Sequence, residues 1–260
     1  MDDKILRLKD LYCKESKHAR YQILPKKLES KIGKIETGIK NTYEYERLEY
    51  ILTRVNIKNK RILDIGGNSG FFTFELLDNG AKFVHYYEGN KTLAEFVRVA
   101  SEILNIQKKL KITNRYFCFD NIDDIKKDKY DVVLLLNVLH HIGDDYGDDK
   151  ISKDKAKNLI INHLNNLSKI TDVLIFQLGF NWKGNRDICL FQNGTKRELI
   201  DYIAEGTKEK WEIIKIGIPR LIGEKIKYFD LDDINIERDD SLGEFLNRPI
   251  FIMKSMSEYL

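Results

Sequence analysis

Three cysteines in 260 residues are too few to build a disulfide framework. Cys13, Cys118 and Cys189 show no C-x-x-C spacing, and an odd, scattered set suits reduced thiols in a reducing compartment. An excess of one charge is missing too. Charged residues make up 33% of the chain, yet the formal net charge is only +3. That balance gives no electrostatic case for nucleic acid or a membrane surface as partner. Lysine pairs such as Lys108-Lys109 and Lys126-Lys127 sit beside acidic or apolar neighbours and read as solvated faces. The longest apolar run, Val132 to Leu136, falls far short of the ~20 residues that span a bilayer. Met1-Asp2-Asp3-Lys4 opens without an apolar signal core. Repeats and low-complexity stretches are absent. These absences predict a soluble, cytoplasmic protein of one domain plus decoration.

What is present falls into two parts. Residues 1–58 read as helical: Ile5, Leu6, Leu8, Leu11 and Tyr12 share one helical face, Pro25 interrupts a second stretch, and a third helix covers about 42–54. From residue 60 strands and helices alternate, which favours a parallel sheet. The expected strands are Arg61–Ile65, Lys82–Tyr87, about Lys111–Phe119, Tyr130–Leu139, Asp172–Leu178, about Trp211–Ile218 and Ile250–Lys254. Tyr130–Leu139 is nearly all apolar, as a strand buried on both faces should be. Thr195-Lys-Arg-Glu198 is a capping box that opens a helix to about Ala204. The stretch from Pro219 to Arg248 is too long for a hairpin turn and is expected to be a lid, a small subdomain or an oligomer contact. The chain therefore divides into a helical cover segment, 1–58, and an α/β domain, 59–260.

The densest chemical signal is Arg-Ile-Leu-Asp-Ile-Gly-Gly-Asn-Ser-Gly at 61–70, followed by Glu88 at the end of the next apolar run. A strand that ends in a glycine-rich turn sets bare backbone beside a ligand, and an acidic residue at the next strand end can accept both hydroxyls of a ribose. A nicotinamide fingerprint fails, because Asn68 and Phe71 stand where G-x-G-x-x-G needs glycine. A P-loop fails for want of a lysine after Gly70. What remains is Asp-x-Gly-x-x-x-Gly, carried by Asp64, Gly66 and Gly70. It resembles motif I of the class I S-adenosylmethionine (SAM) dependent methyltransferases, D/E-x-G-x-G-x-G. Asn68 replaces the middle glycine, and Gly67 supplies one beside it.

The resemblance implies a doubly wound, seven-stranded, mostly parallel sheet with its last strand antiparallel, over roughly residues 55–255, and SAM as cofactor. It implies that Asp64 orients the cofactor's amino group, that Gly66, Gly67, Asn68 and Gly70 pass under its methionine part, and that Glu88 binds the ribose. Asp120 and Asn121 are expected at the adenine, though Asp120 suits a helix cap or turn equally well. Asn137 closes the fourth strand, where the family presents residues to the methyl group. No proline follows Asn137, unlike the base-methylating members of the family. Val138-Leu139-His140-His141 is instead similar to the Ile-Leu-His-Asp segment of small-molecule O-methyltransferases. That likeness maps a general base onto His140, with His141 second. An imidazole titrates near neutrality and suits removal of a hydroxyl proton. The acidic loop Asp144 to Asp149 is read as solvated in preference to a site for a hard cation, so no metal is expected.

Trp182 with Asn181, Asn185 and Arg186 suits either a wall for a polar substrate or an ordinary loop around one packed tryptophan; Tyr43, Tyr45 and Tyr50 would cover the cleft, with at least one of them in the core. The expected activity is methylation of a hydroxyl on a small polar acceptor, a sugar or nucleotide-linked sugar of surface polysaccharide biosynthesis. The rivals are an RNA-modifying methyltransferase and a scaffold that keeps the cofactor fold without turnover.

Overall fold

β-branched and aromatic residues in short runs, separated by amphipathic helices, set the architecture. The computed structural model describes residues 2–15, 18–19, 21–35 and 42–257, so Met1 and parts of the expected cover segment lie outside the described residues. The chain forms two units, Met1–Phe117 and Cys118–Leu260.

The first unit holds helices α1 (Asp2–Cys13), α2 (Lys26–Ile32) and α3 (Glu44–Leu52), then strand β1 (Arg61–Ile65), α4 (Phe71–Asp78), β2 (Phe83–Tyr87), α5 (Lys91–Ile103) and β3 (Leu110–Thr113). The strands pair in parallel, β1 with β2 and β2 with β3. Ile62, Leu63, Val84, Tyr86, Phe96 and Val97 are sealed in its core. Helix α1 lies on α5 through Leu8 and Tyr12, whose ring stacks on Phe96 at 5.3 Å. Leu6 is 61% exposed and leaves the apolar face expected for it. At four-residue spacing, Leu8 and Tyr12 share a stripe that Leu6 does not.

The second unit holds the short helix α6 (Asp123–Lys126), then β4 (Tyr130–Leu136), α7 (Lys153–Leu167), β5 (Thr171–Gln177), α8 (Lys196–Thr207), β6 (Trp211–Ile222), β7 (Lys225–Asp230) and β8 (Ile250–Ser255). β4 pairs in parallel with β5; β5–β8, β8–β6 and β6–β7 are antiparallel. Among the described residues the strands number eight, not the expected seven. β6 runs on past the expected Ile218 and turns back through Gly223, whose φ of 61° suits a two-residue hairpin turn. Pro219 is tolerated because β8 pairs with β6 only up to Gly217. No helix among the described residues is long and apolar enough to cross a membrane.

Candidate functional site

In the first unit the glycine turn is built from its neighbours. The N–H groups of Gly66 and Gly67 both donate to the Tyr87 carbonyl, at 2.9 and 3.2 Å, which bends β1 back toward β2. Gly66, Asn68 and Gly70 have φ of 69°, 52° and 80°. The extra glycine has its own cause. A Cβ at Gly67 would lie 2.5 Å from the Tyr86 ring and 2.9 Å from Asp64 Oδ2. Tyr86 in turn donates its hydroxyl to the Asn68 carbonyl.

Asp64 is 4% exposed and accepts a 2.6 Å hydrogen bond from Thr73 Oγ1. Burial raises its carboxyl pKa to about 6; the Thr73 bond opposes that rise and the Glu88 charge adds to it. Glu88 is buried and bridges two turns. Its Oε2 accepts from Asn68 N–H at 2.9 Å, and Oε1 accepts from Asn90 N–H at 2.8 Å. Each oxygen has further acceptor capacity for a hydroxyl. Asn90 also caps α5 by accepting from Thr92 and Leu93 N–H.

The third strand is shorter than expected. Asn114 donates to the Glu88 and Gly89 carbonyls and draws the chain away after Thr113. Asp120 therefore does not stand at that strand's end. In the second unit its side chain is 82% exposed and lies 3.7 Å from His163 Nδ1. His163 is buried against Phe119, and that burial lowers its pKa against the opposing pull of Asp120. Asn121 accepts from Asp123 N–H at 3.2 Å, a turn bond leading into α6.

β4 ends at Leu136, earlier than expected, because Asn137 takes a φ of 61° and Leu139–His141 coil into one 3₁₀ turn. Both ends of the Asn137 amide are held: Nδ2 donates to Gln177 Oε1 at 2.9 Å, and Oδ1 accepts from Arg248 Nη1 at 2.8 Å. Arg248 forks onto Glu244 at 2.9 and 2.5 Å, and Glu244 also accepts from Phe180 N–H. The late segment before β8 thus fastens the ends of β4 and β5 together.

The two histidines differ. His140 is 3% exposed, and its Nδ1 faces the Gly179 N–H at 3.4 Å. Accepting there puts the proton of a neutral ring on Nε2. His141 Nδ1 lies 3.4 Å from Asp144 Oδ2 and 3.6 Å from Asp145 Oδ2. Donation from Nδ1 to a carboxylate leaves Nε2 as the basic nitrogen. The His141 ring is thus oriented by carboxylates and the His140 ring by a backbone N–H.

Trp182 is tied down by its indole N–H, which donates to the Ile142 carbonyl at 2.7 Å, and Lys183 Nζ sits 4.6 Å over its ring. Asn181 is partly exposed, bridged to Cys189; Asn185 and Arg186 are exposed beyond it. In the first unit Tyr43 opens α3 in a left-handed conformation, Tyr45 bonds Glu75, and Tyr50 is core. Sequence reasoning missed Gln22, Asn114, Gln177, Glu244 and Arg248, polar residues that act far from their positions in the chain.

No protein-family model matches the chain. Over 96 residues, 37% of its length, it is 29% identical to the ubiquinone biosynthesis O-methyltransferase of Nitrosococcus oceani, and it spans 39% of that protein. Among solved structures it is similar to WbdD, with a TM-score of 0.56 at 15% identity over 95% of this chain and 46% of that one. It is also similar to SMU.776, described as a candidate methyltransferase and solved with SAH, with a TM-score of 0.54 at 12% identity over 85% of this chain and 52% of that one. The chain thus spans well under two thirds of each of these relatives. At such identities the likeness shows the fold, an α/β fold of the class I methyltransferase kind.

Proposed function

We propose that this chain, built on the class I methyltransferase fold, is a SAM-dependent O-methyltransferase of a small polar acceptor. The observation that carries the reading is the buried link from the Asn68 N–H in the glycine turn to the Glu88 carboxylate, with Asp64 beside it. A carboxylate held by backbone at the end of β2 is oriented to accept hydroxyls, as a ribose requires. The likeness to an O-methyltransferase supports oxygen as the methylated atom.

SAM, when bound, supplies an electrophilic methyl group. The chain's own part is to bind, align and remove a proton. Asp64 would hold the cofactor's amino group and Glu88 its ribose. Nε2 of His141 would take the acceptor's hydroxyl proton, and Asp144 and Asp145 would favour the imidazolium that results. His140 would pack beneath it, their ring centroids 4.3 Å apart. We assign the acceptor to the sugars or nucleotide-linked sugars of polysaccharide assembly, on the exposed amide and guanidinium groups of Asn185 and Arg186. The near-neutral charge disfavours RNA.

Transfer of a labelled methyl from SAM to a panel of nucleotide sugars, free sugars and RNA tests the acceptor. Label should enter a nucleotide sugar, and a chelator should leave the rate intact. Label in RNA alone would overturn the acceptor class. A chelator block reversed by Mg²⁺ would assign a cation to the loop from Asp144 to Asp149.

A further inference from the structure

We infer that the segment carrying His18 and Gln22 is a positioning wall of the glycine turn, and that Asn68 stands where the motif has glycine because its side chain holds that wall. The inference rests on the cofactor reading above. Its starting point is the departure at Asn68. A φ of 52° is open to glycine without strain and to asparagine at modest cost. The backbone alone gives no reason to prefer asparagine, so the reason lies in the side chain.

That side chain is used at both ends. Its Oδ1 accepts from Ser69 N–H at 2.8 Å, and its Nδ2 donates to the His18 carbonyl at 3.0 Å. Gln22 grips the same turn at the residues just after Asn68. Its Oε1 accepts from Phe71 N–H at 3.1 Å and from Ser69 Oγ at 3.3 Å. Phe71 opens α4, so this N–H is one of those a helix cannot satisfy within itself. Asn68 and Gln22 are only 7% and 6% exposed. The segment is anchored from behind as well, because Tyr12 donates its hydroxyl to the Gln22 carbonyl at 2.8 Å while its ring stacks on α5.

The turn is thereby fixed from two sides. Glu88 and Tyr86 hold the Asn68 backbone, the His18 carbonyl accepts from the Asn68 side chain, and Gln22 accepts from the Phe71 N–H on the same turn. A loop ordered before its ligand arrives spares the ligand that ordering cost. His18 and Gln22 need not touch the cofactor for this to work. They act through Asn68, Ser69 and Phe71.

The test measures SAH binding by the full-length protein, by equilibrium titration and stopped flow. Asn68→Gly keeps the backbone conformation but frees the segment. Gln22→Met removes the acceptor at similar volume. Each should raise the Kd for SAH about 2- to 10-fold, the effect of one net hydrogen bond, and mostly through faster dissociation. Gln22→Glu keeps the acceptor, next to a helix N-terminus that favours negative charge, and should restore near wild-type dissociation. The double variant should lose less than the product of the singles, because both act through one segment. Wild-type binding with unchanged rates in Asn68→Gly and Gln22→Met would reduce the segment to packing and overturn the inference. Failure of the wild-type protein to bind SAH would sink the cofactor reading itself, and this inference with it.

Discussion

His141→Ala should slow methyl transfer by about 10²–10⁴-fold, the usual share of general acid–base catalysis, and leave SAH affinity unchanged. The expectation comes from the tautomer each neighbour imposes. His141 Nδ1 has carboxylates at 3.4 and 3.6 Å, so its proton belongs there and Nε2 is left as the basic nitrogen. His140 Nδ1 faces a backbone N–H instead, so its Nε2 carries the proton and cannot take another while the ring is neutral. His140→Ala should therefore cost less, through lost packing behind His141. The rate should fall as pH drops through the His141 titration, since an imidazolium accepts no proton. Steady-state kinetics of the two variants decides the matter. A His141→Ala enzyme at the wild-type rate beside an inactive His140→Ala enzyme would return the base to His140.

Asp64→Asn should stabilise the protein and weaken cofactor binding at once. The Asp64 carboxyl titrates near pH 6 in the fold, against 3.8 ordinarily. Between those values the folded state holds the proton and the unfolded state does not, so stability falls as pH rises through that window. Above about pH 6 the buried charge costs on the order of 3 kcal/mol. Asparagine carries no charge and can still accept from Thr73. Its melting temperature at pH 7.5 should exceed wild type by several degrees, with the gain shrinking toward pH 4. SAH affinity should drop about 10- to 100-fold, the weight of a charge-assisted hydrogen bond. Thermal melts of both proteins from pH 4 to 8, with and without SAH, measure both effects. A variant less stable than wild type at pH 7.5 would show that the charge is compensated in the fold.

The parts of this architecture that were legible in the sequence are those encoded locally. The β1 turn is spelled by Gly66, Gly67 and Gly70 within five residues, and Glu88 follows one strand later. The capping box at Thr195 forms, with Thr195 Oγ1 accepting from Glu198 N–H at 3.1 Å. Its reciprocal half does not, because Glu198 reaches further back, to the N–H groups of Gln192, Asn193 and Gly194. Strand ends were misjudged where a polar residue breaks an apolar run: Asn114 ends β3 and Asn137 ends β4 through contacts made far along the chain. β7 was passed over as insertion although Lys225-Ile-Lys-Tyr alternates, since alternation over so few residues beside a long loop is a weak signal. Gln22, Gln177, Glu244 and Arg248 carry no motif. Their roles exist only once the fold brings them to the turn or to the strand ends, so no local pattern could have marked them.

The central claim is that the turn at Gly66–Gly70 and the Glu88 carboxylate form a SAM site. Calorimetric titration of the purified chain with SAH, SAM and NAD tests it most directly. The account predicts saturable SAM and SAH binding in the micromolar range, a rise in melting temperature with ligand concentration, no measurable NAD binding, and clear weakening in Glu88→Ala. An absence of SAM and SAH binding, or a preference for NAD, would contradict it.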